Sequence, residues 1–169
     1  EDFAECTVNA VKDYCAQFDV PLPRILVEPG RSLVANAGIT LYTVGILKTL
    51  PNIRKYVAVD GGMSDNIRTA LYHAEYEPTI ANKAGQPRTE IVTLCGKHCE
   101  SGDAVVIDMP LQHPDLGDIV AVFGTGAYCH SMSSNYNGQP RPAIVFVKDG
   151  QARVTTRRET YADLMTRDI

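Results

Sequence analysis

Apolar positions along this chain follow two rhythms. Phe3, Val8, Ala10, Val11, Tyr14 and Cys15 recur at helical spacing. The pattern predicts a helix over residues 1–17 that ends near Phe18, because Pro21 and Pro23 follow. Arg24 to Val27 reads as a short apolar strand, stopped by Glu28-Pro29-Gly30-Arg31. A second short helix is expected from Ser32 or just after it. Helix, strand, tight glycine turn and helix make an α/β unit.

From Ile39 the rhythm becomes alternation rich in Thr, Tyr and Val, which suits strands. Strands are expected over Ile39 to Leu47, Tyr56 to Val59, Thr89 to Cys95, Ala104 to Ile107, Ile119 to Phe123, Ala143 to Lys148 and Ala152 to Thr156. Asp149-Gly150 joins the last two as a hairpin. Ile67 to His73 reads as a short helix or turn, and Tyr161 to Met165 as a closing helical turn. The expected fold is therefore mainly β with a small α/β head. Residues 1–38 form the head and residues 39–169 the β domain. One strand and two helices cannot bury a core, so the head cannot fold alone.

Composition narrows the function classes. Of 169 residues, 44% are apolar and 21% charged, which predicts a packed core rather than disorder. A net charge of −4 with no basic stripe gives no support to nucleic-acid binding. The longest apolar-leaning stretch, Leu33 to Leu50, is interrupted by Asn36, Lys48 and several hydroxyls, so no membrane span is expected. The five cysteines match no disulfide framework, and reduced thiols in the cytoplasm are the simplest reading. Cys95, His98 and Cys99 lack a second ligand pair at zinc-site spacing, and no metal is expected. The first residue is Glu1, and the first helix has no strand before it. A processed or truncated chain without a signal peptide is the expectation.

Four segments could carry chemistry. Glu28-Pro29-Gly30-Arg31 ends a strand, as do the ligand-bearing loops of (β/α)₈ barrels. Gly30 would let a backbone approach closely, and a following helix N-terminus favours an anion. Alone, the tetrapeptide reads first as an ordinary strand-to-helix turn. Cys99-Glu100-Ser101-Gly102-Asp103 places a thiol able to move a proton beside an acid able to bind an ammonium. It is also what a polar hairpin looks like. Gly124-Thr125-Gly126-Ala127-Tyr128 offers a close turn and a hydroxyl. Arg68 and Tyr72, four residues apart, share a helical face. A packed tyrosine and a surface pair are the plain alternatives.

In order, these segments resemble the diaminopimelate decarboxylases, a family of fold-type III pyridoxal-phosphate-dependent enzymes. The matching runs are Val27 to Arg31, Val59 to Met63, Ile67 to Tyr72, Cys99 to Asp103, Gly126 to Tyr128, Ser131 to Asn137, Arg141-Pro142 and Arg158 to Tyr161. They span nearly the whole chain. The resemblance implies a homodimeric enzyme that uses pyridoxal 5'-phosphate to convert meso-2,6-diaminopimelate into L-lysine and CO2 in lysine biosynthesis. It implies that residues 1–38 are the last strand and flanking helices of a (β/α)₈ barrel, and that residues 39–169 are the C-terminal β-barrel or sandwich domain. The family's Schiff-base lysine falls outside the matched part, so the chain alone is expected to be inactive. Carried over residue by residue, Glu28, Pro29, Gly30 and Arg31 meet the cofactor phosphate, with Arg31 also reaching a substrate carboxylate. Arg68 and Tyr72 hold the distal end of the substrate. Cys99 is the proton donor, and Glu100 reads the distal amino group. Tyr128 touches both cofactor and substrate. Cys99 and Glu100 reach into the partner subunit's site. Gly62 departs from the family's usual alanine, a change expected to be harmless.

Two alternatives stand beside this reading: an arginine or ornithine decarboxylase of the same fold, and a non-catalytic regulatory β domain. Cys99-Glu100-Ser101 with Arg68 favours diaminopimelate, because a distal zwitterion needs both an acid and a base. Cys99, Glu100 and Tyr128 together argue against a purely regulatory module.

Overall fold

Alternation within the strands decides which side chains the sheet encloses. Tyr42 and Val44 point inward from β1 (Ile39–Leu50), Val57 and Val59 from β2 (Arg54–Val59), Val92 and Leu94 from β4 (Glu90–Cys95) and Val120 and Val122 from β6 (Ile119–Phe123). All are buried. A fully buried side chain of this kind contributes about 1.5–3 kcal/mol. With β3 (Pro78–Ile80) and β5 (Ala104–Leu111), these strands form a six-stranded sheet of order β3-β6-β1-β2-β4-β5. The computed structural model describes residues 2–169.

β1 turns the corner of the sheet. Its first half pairs antiparallel with β6 and its second half with β2, and the register shifts between Val44 and Ile46, around Gly45. β2 and β4 are parallel; the remaining pairs are antiparallel. The crossover from β2 to β4 carries α3 (Arg68–Tyr72) and β3. The edges β3 and β5 lie side by side without a ladder between them. The fully buried Gln112 bridges that seam. Its Oε1 accepts from the Ile80 N–H at 3.0 Å, and its Nε2 donates to Thr79 Oγ1 at 3.0 Å. Thr69 Oγ1 donates to Val105 O at 2.8 Å and fixes α3 to β5. The result is a nearly closed, barrel-like sheet; alternation predicted its strands, and the family resemblance implied the barrel or sandwich.

Differences from the expected elements have local causes. β3 went unpredicted because it has three residues and begins with Pro78, a residue confined to edge strands. β5 continues past Ile107 despite Asp108 at φ 50° and Pro110, because it is itself an edge. Arg24 to Val27 forms no ladder and is not a strand here, since none of the eight strands lies beside it. α1 (Asp2–Gln17) ends where expected but buries no residue, its expected first position, Glu1, lying outside the described residues; α2 (Arg31–Val34) starts at Arg31, one residue earlier than expected.

β7 (Ile144–Lys148) and β8 (Gln151–Thr156) make a separate hairpin through Asp149 and Gly150, both at positive φ as its turn demands. α4 (Tyr161–Leu164) follows, closed by a Thr160–Asp163 capping box. The accessible surface is 11,714 Å². A compact monomer of this mass exposes about 8,200 Å². Much of the excess lies on apolar residues such as Phe3, Leu26, Val27 and Leu33 in the head and Phe146 and Val147 in the hairpin. Among the described residues, no helix is long and apolar enough to cross a membrane.

Candidate active site

Two groups of polar residues stand at the ends of the strands. The first is built on α3. Helical spacing puts Arg68 and Tyr72 on one face, with the guanidinium carbon 5.1 Å from the Tyr72 ring centroid. The Tyr128 ring lies on it as well, at 5.4 Å. Each such contact contributes about 0.5–1 kcal/mol at an exposed site. Arg68 is half-buried, forms no ion pair among the described residues, and has a buried Nε without a hydrogen-bond partner. A cation so placed is ready for an anion that this chain does not supply.

Tyr128 is held by its backbone. Gly124 to Ala127 leave β6 and dock on the start of the β domain. The Thr125 N–H donates to Gly38 O at 3.0 Å, and the Gly126 N–H donates to Ala35 O at 2.9 Å. Gly38 and Gly126 approach so closely that a Cβ on either would strike the other's backbone. Tyr128 itself sits at φ 62°, an uncommon conformation for a bulky side chain. Its hydroxyl lies where a Cβ on Gly30 would be, which ties it to the Glu28–Arg31 turn. The structure thus brings Gly30, Arg68, Tyr72 and Tyr128 together. Glu28, Pro29 and Arg31 border that group but are exposed, with no side-chain hydrogen bond or ion pair among the described residues. Beneath it, Tyr76 Oη lies 3.6 Å from Cys129 Sγ, and burial pushes both groups' pKa values up.

The second group is the β4–β5 loop. Cys99 and Glu100 are exposed at its tip. Their base is buried: Asp103 accepts from the Met63 N–H at 2.7 Å and the His98 N–H at 2.8 Å, and its Oδ2 lies 2.8 Å from His98 Nδ1. The His98 ring stacks on Tyr136, with centroids 6.1 Å apart and planes 12° off parallel. The Gly102 N–H and Ser101 Oγ donate to one Glu100 oxygen, and Tyr136 Oη donates to the other at 3.3 Å. The Gly102 bond, then those from Tyr136 and Ser101, hold the Glu100 carboxyl below its usual pKa range. The Cys99 N–H donates to Asn137 Oδ1 at 2.8 Å. No hydrogen bond, ion pair or ring contact joins Cys99 or Glu100 to Arg68, Tyr72 or Tyr128 among the described residues.

The sequence reading gave Asp103 no anchoring role, and it held Tyr136 and Asn137 only within the matching run Ser131 to Asn137, with no role for either. A faint signal for Asp103 existed in Gly62 and Gly96, whose missing side chains leave room for its carboxylate. The Gly62 backbone shows what a side chain there would meet. Gly62 has φ +145°, and a Cβ there would lie 2.5 Å from Asp103 Oδ1 and 2.7 Å from His98 Nδ1.

Comparison with known proteins gives the family and the fold. The chain is 50% identical over 168 residues to the diaminopimelate decarboxylase of Bacillus subtilis, covering 99% of this chain and 38% of that protein. It is 49% identical to that of Synechocystis, covering 99% and 36%. The crystal structure of diaminopimelate decarboxylase from M. jannaschii, also solved with L-lysine, superposes with a TM-score of 0.84 at 37% identity, over 99% of this chain and 38% of that one. The chain therefore spans about two-fifths of the length of these relatives. Residues 9–126 match the family described as the pyridoxal-dependent decarboxylase, C-terminal sheet domain, and the chain belongs to that family.

Proposed function

We propose that this chain is the C-terminal part of a cytoplasmic diaminopimelate decarboxylase, which converts meso-2,6-diaminopimelate into L-lysine and CO2. The observation that carries the substrate reading is the Arg68 guanidinium, held between Tyr72 and Tyr128 without a carboxylate of its own. A planar guanidinium suits a carboxylate because it binds both oxygens at once. On this reading residues 1–38 complete a (β/α)₈ barrel supplied by further chain, and residues 39–169 are the β domain. The apolar surface on the head and the β7–β8 hairpin supports that division.

The residues present fit pyridoxal 5'-phosphate at the Glu28–Arg31 turn. Gly30, with no side chain, lets the Tyr128 hydroxyl lie against its backbone, and Arg31 adds a guanidinium with no hydrogen bond or ion pair among the described residues, a donor set suited to a phosphate ester. Bound there, the cofactor would supply an electron sink for the carbon that loses CO2. Arg68 and Tyr72 orient the substrate by its distal carboxylate. Glu100, kept ionised, receives the distal ammonium. Cys99 Sγ delivers the proton that replaces the lost carboxylate. Cys99 and Glu100 make no contact with the Arg68 group of their own chain, which supports sites shared across a homodimer. The test is CO2 release by a full-length enzyme carrying this chain. Meso-diaminopimelate should be used at least about a hundredfold better than ornithine or arginine, which lack the distal carboxylate. Equal use of the three, or preference for either diamine precursor, overturns the reading.

A further inference from the structure

The tip of the β4–β5 loop is exposed, yet both of its chemical groups are held from outside the loop, and by neighbouring residues. Asn137 Oδ1 accepts the Cys99 N–H at 2.8 Å, and Tyr136 Oη donates to a Glu100 oxygen at 3.3 Å. We propose that Tyr136 and Asn137 are positioning residues that brace this loop, Asn137 aiming the Cys99 thiol through its backbone and Tyr136 aiming the Glu100 carboxylate. The inference rests on the roles of Cys99 and Glu100 in the proposed function.

The brace has the stiffness such a role needs. The Tyr136 ring stacks on buried His98, so its hydroxyl is directed from a fixed base. Asn137 adopts φ 53°, a left-handed conformation that asparagine tolerates better than most residues. The segment before them is pinned at three places. The Ser134 N–H donates to Ser64 O at 2.8 Å, and Asn135 Nδ2 donates to Glu159 Oε2 at 2.6 Å and to Gln139 O at 3.0 Å. A surface loop tied this firmly, with two side chains turned onto Cys99 and Glu100, reduces the orientations those groups must search.

The test is a pair of double-mutant cycles in a full-length enzyme carrying this chain. Tyr136→Phe keeps the ring on His98 and loses only the hydroxyl; it should raise KM about three- to tenfold with kcat little changed. Asn137→Gly keeps the backbone conformation and loses the acceptor; it should lower kcat about three- to tenfold. Asn137→Asp, which retains the acceptor oxygen, should recover most of that loss. Cofactor absorbance and the thermal midpoint should stay at the parent's values. Tyr136→Phe should then add nothing to Glu100→Ala, and Asn137→Gly nothing to Cys99→Ala. If Glu100→Ala and Cys99→Ala are impaired while Tyr136→Phe and Asn137→Gly are neutral, or act in full on top of them, the brace alone is overturned. If Glu100→Ala and Cys99→Ala are themselves silent, the roles assigned to these residues fall and the brace falls with them.

Discussion

Replacing Arg68 by lysine keeps the charge and removes the shape, which isolates what the guanidinium does. In this structure its central carbon lies 5.1 and 5.4 Å from the centroids of two tyrosine rings. An ammonium, a compact point charge, retains only part of the roughly 0.5–1 kcal/mol of each contact. It also presents a point charge rather than a fork, so one of two N–H···O bonds to a carboxylate is lost, at about 1.5–3 kcal/mol. Together the loss should reach about 2–4 kcal/mol, or roughly 30- to 1,000-fold in kcat/KM for diaminopimelate. The assay is steady-state CO2 release by a full-length enzyme carrying the substitution, with cofactor occupancy followed by absorbance. Occupancy should not change, because the phosphate is assigned to the Glu28–Arg31 turn. A kcat/KM within about threefold of the parent would refute the claim that the planar guanidinium reads the substrate.

Two further outcomes are expected. Burial raises the Asp65 pKa, outweighing the hydrogen bonds from Tyr42 and Gly62 that lower it. The folded state then binds this proton more tightly than the unfolded chain, so the group's contribution to stability is greatest in acid and falls as pH rises. Asp65→Asn removes that slope, and denaturant titrations between about pH 4 and 7 should show the variant gaining on the parent as pH rises; a constant difference would contradict it. A Cys99→Ala enzyme, slowed about 10²- to 10⁴-fold, mixed with one lacking the Schiff-base lysine should regain activity through hybrid dimers with one intact site. No recovery after verified subunit exchange would place Cys99 in its own chain's site or outside catalysis.

The sheet was largely readable from the chain because alternation is written into each strand. Val120 and Val122 are apolar and buried whether or not β6's neighbours are known. Ladders are another matter. Arg24 to Val27 has a strand's composition, yet pairing depends on neighbours that a segment's own residues do not specify. The candidate site divides in the same way. The four-residue spacing of Arg68 and Tyr72 predicted a shared face. Their sandwich with Tyr128 depends on a contact across some 60 positions, which local spacing does not encode. Tyr136 and Asn137 stood in a matching run but had no role for that reason too: their hydrogen bonds to Glu100 and Cys99 cross 36 and 38 positions.

What sets the Arg68 group and the Cys99 loop in fixed relation is the turn after β2. Ser64, Asp65 and Asn66 are buried there, an unfavourable place for polar side chains unless their bonds are made. Several bonds of the turn reach toward the site: the Met63 N–H donates to Asp103, Ser64 O accepts from the Ser134 N–H, Asp65 accepts from the Tyr42 hydroxyl, and Asn66 Oδ1 accepts from the Arg68 N–H at 3.3 Å, while Asn66 Nδ2 is buried without a partner among the described residues. Gly62 is the point where this turn meets Asp103 and His98. Alanine would here combine a backbone at φ +145° with a Cβ 2.5 Å from Asp103 Oδ1. The backbone strain alone costs about 1–3 kcal/mol. Relief requires Asp103 to move, and Asp103 holds the base of the Cys99–Glu100 loop. Gly62→Ala in a full-length enzyme should therefore lower the unfolding midpoint and kcat together, while leaving cofactor absorbance unchanged. A variant as stable and as active as the parent would show that the turn relaxes freely, and that the two groups are not held in place through it.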